Sequence, residues 1–117
     1  QYSKDRVKDL YPAYQLGWFP DYSDADNYLS PFFTKDNFLA NHYDSPEIQQ
    51  LITQQVGTAD KVERTKLIEE IQAKAGADLP TLPLLQGAQV AVVGKDVKGT
   101  DKTLDASFKF RYAVLSK

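Results

Sequence analysis

A carboxylate set against aromatic rings is what a small cationic ligand requires, and Trp18-Phe19-Pro20-Asp21-Tyr22 supplies both in one short run. A carboxylate such as that of Asp21 can hold an ammonium group through a charge-assisted hydrogen bond. Trp18, Phe19 and Tyr22 would then form the apolar wall that excludes water from that contact. The alternatives are bland: core packing for Trp18 and a turn cap for Asp21. Asp24, Asp26 and Asn27 follow at once, and clustered oxygens invite a calcium reading. An EF-hand loop needs glycine at its sixth place and glutamate at its twelfth. Counted from Asp21 those places hold Asp26 and Phe32, and counted from Asp24 the sixth is Leu29, so no metal ligand is assigned. Short polar side chains of this kind commonly cap turn amides, which is the expectation for Asp24, Asp26 and Asn27.

Other chemistries find less support. A pair of acids could hydrolyse a glycoside, but only across a set gap that spacing cannot show. The single histidine, His42, stands between Asn41 and Tyr43 with no second histidine or cysteine, so a loop hydrogen bond is expected of it. No Gly-rich phosphate loop and no Gly-x-Ser-x-Gly elbow occurs. No catalytic residue and no cofactor is therefore expected. Fourteen basic and sixteen acidic side chains, dispersed along the chain, give a formal charge of −2. That distribution lacks the basic stripe of a nucleic-acid interface. Without cysteine there are no disulfides and no thiolate chemistry, although the compartment stays open. No apolar run approaches the ~20 residues of a membrane span, and the first residues lack the apolar core of a signal peptide, so an exported protein would carry its signal upstream.

The 117 residues, 42% of them apolar, are enough for one core. Val7, Leu10 and Tyr11 fall on one face of a short helix over residues 4–11 that Pro12 would stop. Ala13 to Phe19 alternates loosely and reads as a strand closed by Pro20. From Asp21 to Tyr43 turn formers recur without a sustained period, which predicts a long ordered loop with one helical turn. Ser45-Pro46-Glu47 is a helix start, with Ser45 as cap and Ile48, Leu51, Ile52 and Val56 as the apolar face up to Gly57. A second helix, capped by Thr58, should run to about Ala77. Val62, Leu67, Ile68, Ile71 and Ala75 would be buried, with Asp60 paired to Arg64 and Glu70 to Lys74. Beyond it lie an extended segment between Pro80 and Leu84, a strand over Val90 to Val93, a polar turn at Asp96 to Asp101, and a terminal strand in which Phe108, Phe110, Tyr112 and Val114 share a face.

The run Trp18-x-x-Asp21-Tyr22-x-Asp24-x-x-Asn27-Tyr28-Leu29, with Phe32 after it, resembles the late signature of bacterial family 5 solute-binding proteins, the peptide and nickel receptors of ABC importers. The resemblance continues through Tyr43-Asp44-Ser45-Pro46-Glu47, Asp60 with Arg64, Pro80-Thr81-Leu82-Pro83-Leu84 and Val97-Lys98-Gly99. It thus covers essentially the whole chain, mapped onto the C-terminal part of a longer one. One departure is that Ser23 and Ala25 stand where many relatives carry prolines, which leaves the turn less stiff.

What the resemblance implies is an α/β fragment of a type II periplasmic-binding-protein-like two-lobed fold, with amphipathic helices packed on a mixed sheet. Residues 1–88 would belong to the distal ligand-binding lobe, and residues 89–117 to the hinge crossing and the return to the other lobe. In peptide-binding members the position of Asp21 pairs with the ligand's α-amino group and that of Trp18 lines a side-chain pocket. The implied role is capture of oligopeptides or dipeptides by lobe closure and delivery to ABC-transporter permease subunits, without a chemical step. The receptor would be a monomer in the periplasm or on the outer face of the membrane, free or lipid-anchored upstream. The same scaffold could hold a nickel chelate or an oligosaccharide. From other classes, an acidic-loop hydrolase and an interaction module exposing Phe32, Phe33 and Phe38 as one patch stay open.

Overall fold

The computed structural model describes residues 1–88, 90, 92–99 and, for the backbone, 114–115. The elements in chain order are α1 (Tyr2–Arg6), a 3₁₀ turn (Ala25–Tyr28), α2 (Ser30–Phe33), α3 (Pro46–Gly57), α4 (Lys61–Asp78), β1 (Val97–Lys98) and β2 (Val114–Leu115). The chain divides into two compact units, one of Gln1–Gly17 with Ala25–Leu82, the other of Trp18–Asp24 with Pro83–Lys117.

In the first unit the core is the α3–α4 pair. Ser45 caps α3 by accepting from the Ile48 amide at 3.4 Å, with Pro46 in the first turn. Its buried face is Ile48, Leu51, Ile52 and Gln55, while Val56, expected inside, is 64% exposed. The i, i+3, i+4, i+7 stripe from Ile48 runs through Gln55, so helix geometry buries the amide and turns the valine outward. The cap of α4 is Asp60, not Thr58: its Oδ1 accepts from the amides of Val62 and Glu63 at 3.0 and 2.9 Å. Thr58 instead donates its hydroxyl to the Gln54 carbonyl at 2.7 Å, closing the preceding helix. Ile71 and Ala75 are buried and Leu67 and Ile68 pack beside them, but Val62 is 65% exposed, since it lies in the first turn, ahead of the packed stretch. Lys74 reaches Glu47 on α3 at 2.7 Å and Glu70 on its own helix at 3.7 Å. Leu79 ends α4 in the left-handed region, at φ 48° and ψ 49°.

Leu29 completes the core, with Phe33 and Tyr43 packed against it. The region between Asp21 and Tyr43 is a loop holding the 3₁₀ turn and the single turn of α2, close to expectation. Its later part is clamped by amides: Asn37 Nδ2 donates to Asn41 Oδ1 at 2.9 Å, and Asn41 Nδ2 donates to the Pro80 carbonyl at 3.1 Å. Helix α1 is shorter than its apolar pattern suggested. Val7 and Leu10 are exposed, and the buried residue is Arg6, whose guanidinium lies over the rings of Phe38 (5.1 Å) and Tyr14 (5.6 Å). Its Nη1 donates to the carbonyls of Phe38 and Leu39 at 2.7 and 2.8 Å. Asp9, at φ 56°, turns the chain before a second helical turn can form.

The expected strand from Ala13 to Phe19 has no ladder partner among the described residues. Its exposure does alternate, with Tyr14, Leu16 and Trp18 half-buried between exposed neighbours. Alternation therefore reports which side faces the protein, and a strand needs a paired backbone as well. Val90, Val92 and Val93 are exposed and not in a strand, and Ala91 lies outside the described residues. A turn at Lys95 and Asp96 leads into β1, where Val97 pairs with Leu115 and Lys98 with Val114 in antiparallel register. Phe108, Phe110 and Tyr112 lie outside the described residues. In place of helices on a mixed sheet, the described residues show a helical core and this one two-stranded pairing.

Candidate functional site

Pro20 is buried and anchors the middle of the aromatic run, and the chain bends through residues 21–24, where the Asp24 amide donates to the Tyr22 carbonyl at 3.0 Å. Phe19 is 71% exposed, Tyr22 49%, Asp21 is exposed and Trp18 half-buried. All four belong to the unit of Trp18–Asp24 with Pro83–Lys117, and each takes part in at least one interaction. The run thus sets a buried proline between a half-buried indole and an exposed phenylalanine on one side and an exposed acid and tyrosine on the other.

The next acid has a different environment, in the first unit. Asp26 is the second residue of the 3₁₀ turn, and its carbonyl accepts from the Leu29 amide at 2.9 Å. Its Oδ1 accepts from Ser30 Oγ and from Gln55 Nε2, both at 2.5 Å. Gln55 is fully buried, and its Oε1 accepts from Arg64 Nε and Nη2 at 3.1 and 3.0 Å, while its carbonyl accepts from Arg64 Nε at 3.2 Å. Asp26 thus does more than cap a turn, because it ties the loop to α2 and α3, and through Gln55 to α4. Asn27 beside it is buried. Gln55 escaped the sequence reading because it is polar. Its place seven residues after Ile48 was the signal that could have found it.

His42 Nε2 lies 2.7 Å from Asp9 Oδ1, with both side chains exposed, so it serves as a loop hydrogen-bonding group. Tyr43 donates its hydroxyl to Asp78 Oδ2 at 2.6 Å. Burial, and then that hydrogen bond, raises its phenol above the ordinary value. Lys74 is raised mainly by its hydrogen bond to Glu47. Among the described residues no group of three or more His, Cys, Asp or Glu side chains could hold a metal ion. Phe32 and Phe33 are half-buried, and their rings engage Phe38 and Tyr43 edge-on at 6.4 Å. The three phenylalanines therefore form one ring cluster in which Phe33 packs against the core and Phe38 stays exposed at 43%.

The chain is similar to heme-binding protein A of Haemophilus influenzae, 29% identical over 87 residues that make up 72% of this chain and 16% of that protein. It is also similar to the glutathione-binding protein GsiB of Escherichia coli K12, 27% identical over 107 residues, 87% of this chain and 21% of that one. It spans about a fifth or less of the length of these relatives. No family model matches the chain, and no solved structure matches it significantly. Among the described residues no helix is long and apolar enough to cross a membrane. The similarity is thus distant, covers most of this chain, and is to bacterial proteins named for the small solute each binds.

Proposed function

We propose that this chain is the C-terminal part of a two-lobed, extracytoplasmic solute-binding receptor that captures a short peptide and presents it to the permease of an ABC importer. Residues 1–88 would lie in the distal lobe of an α/β, periplasmic-binding-protein-like fold, and residues 89–117 would cross the hinge and return to the other. No chemical step is involved. The observation that carries this reading is the similarity to a glutathione-binding protein along 87% of the chain. Glutathione is a short peptide bearing a free ammonium, the group that Asp21 beside Trp18, Phe19 and Tyr22 is suited to receive.

In mechanism, the solute would contact both lobes only when they close, and that differential affinity would shift the population to the closed form that the permease recognises. Inside a closed cleft, a carboxylate bonded to an ammonium is poorly screened and strong. Asp21→Ala in the full-length protein would strand that cation. The expected loss is about 2–5 kcal/mol, roughly 30-fold to several-thousand-fold in affinity. Calorimetry with a tripeptide and its N-acetylated form checks this. The wild type should prefer the free amine and the variant should lose the preference. Equal affinity of wild type and variant for the free peptide would overturn the amine-anchor role.

The similarity to a heme-binding protein favours a second reading, a flat apolar ligand laid beside the largely exposed Phe19. In that case heme would bind with micromolar or better affinity, Phe19→Ala would weaken it, and Asp21→Ala would not.

A further inference from the structure

We propose that Arg6 is a carboxylate-binding residue, receiving a planar oxyanion on the edge of its guanidinium formed by Nε and Nη2. The residue is 7% exposed, and taking a charge out of water is costly unless it is both paired and hydrogen-bonded. Part of that cost is offset by the Phe38 and Leu39 carbonyls, which accept from Nη1, and by the rings of Phe38 and Tyr14. Carbonyls and ring faces supply partial charges only. Among the described residues no carboxylate forms an ion pair with Arg6. The acids nearest to it in sequence are engaged elsewhere: Asp5 accepts from Gln1 Nε2 at 2.8 Å and from the Tyr11 hydroxyl at 3.4 Å, and Asp9 lies 2.7 Å from His42.

The idle hydrogen shows which edge is meant. Nε is buried and has no hydrogen-bond partner among the described residues, whereas buried donors are almost always paired. Nη1 is already taken by the two carbonyls. What remains of the guanidinium fork is its Nε–Nη2 side, where parallel N–H bonds match the two oxygens of a carboxylate. A lysine ammonium has no such edge. Tyr14 is pinned by the bond from its hydroxyl to the Leu39 carbonyl, but Phe38, the nearer ring, is 43% exposed, so an incoming group meets a surface side chain there and not backbone. Arg6, Tyr14, Phe38 and Leu39 all belong to the first compact unit, so the site stands apart from the reading of residues 18–22. Its carboxylate could come from an acidic side chain elsewhere in the full-length protein or from a free small molecule, and the chemistry is the same.

The test is nuclear magnetic resonance of the Arg6 Nε–H group in the full-length protein, assigned through bonds from the α1 backbone, with formate as the probe and chloride at equal ionic strength as the control. If the carboxylate is free, formate should shift that signal saturably and slow its exchange with water about tenfold, as one charge-assisted hydrogen bond would. If it is intramolecular, formate should leave the signal unmoved, and a scalar coupling across the hydrogen bond should join Nε to a side-chain carboxylate carbon. Either result supports the site and names the source. Neither a saturable shift nor such a coupling, or an equal shift with chloride, would overturn it. Arg6→Lys keeps the charge and removes the fork, so formate should no longer move the Phe38 and Leu39 amides. An unchanged response in that variant would show a point charge at work and sink the bidentate edge.

Discussion

The helix pair α3–α4 and the loop that carries the acids are held by different kinds of interaction. The helices rely on local signals, a cap at each start and an apolar stripe, whose partners lie within a few residues or on the facing helix. The loop adds to the burial of Leu29 single side chains reaching across the chain: Gln55 to Asp26, Arg6 to Phe38 and Leu39, Asn41 to Pro80. Stability of the first kind is spread over many weak contacts, whereas the second concentrates it in a few polar bonds that fail one at a time.

The largest effect is expected where apolar burial is complete. Ile71 is fully buried in the cluster with Ile48, Leu51 and Ile52. Ile71→Ala should cost about 2–5 kcal/mol through lost transfer energy and the cavity left behind. Native-state hydrogen exchange in the full-length protein should show α3 and α4 losing protection together. If only α4 lost protection, the two helices would not be one cooperative unit and the contrast with the loop would weaken.

An intermediate effect separates the two possible caps of α4. Asp60 satisfies two free amides of the first turn, so Asp60→Ala should cost about 1 kcal/mol, and Asp60→Asn much less. Thr58→Ala removes only a hydroxyl bond to a carbonyl that water can replace. It should change protection of α4 by less than about half as much as Asp60→Ala. A larger loss from Thr58→Ala would restore the cap expected from sequence.

These same residues show what the sequence carried and what it left out. Ser45-Pro46-Glu47 and the stripe of Ile48, Leu51 and Ile52 were legible because each obeys a rule with a period or an offset. Thr58 and Asp60 are both capping types, both sit in extended backbone, and only the side chain that accepts from the first-turn amides, that of Asp60, decides between them. Hydropathy favours Val56 for the buried face of α3, whereas the phase of the stripe selects Gln55. The strand over residues 13–19 was expected from an alternation that is present, yet pairing depends on a partner no local pattern specifies. The signature residues were legible only as chemistry, a carboxylate among rings, because side-chain type is all that a sequence shows of a site. The bonds from Gln55 to Asp26 and from Arg64 to Gln55 join residues 29 and 9 apart, beyond the reach of a local pattern.

The smallest expected effect is also the one that depends on pH. Tyr43 belongs to the loop and Asp78 to the last turn of α4, so their hydrogen bond joins the two regions compared here. Burial and that bond raise the phenol's pKa on folding. A group raised in this way contributes stability that is complete below its ordinary unfolded value and lost as pH climbs through the folded one. Lys74, raised chiefly by its hydrogen bond to Glu47, contributes with the same sign, because its ammonium is the favoured form. Stability should therefore be flat near neutrality and decline in the alkaline range, above about pH 10, where phenols and ammonium groups lose their protons. Tyr43→Phe should cost about 0.5 kcal/mol at neutral pH, the low end for one hydrogen bond to a partner that is itself exposed. It should also make the alkaline decline shallower, leaving the part due to Lys74. Urea midpoints of the full-length protein between about pH 8 and 11 measure both quantities. An alkaline decline as steep in Tyr43→Phe as in the wild type would show that this contact does not join loop to helix in solution.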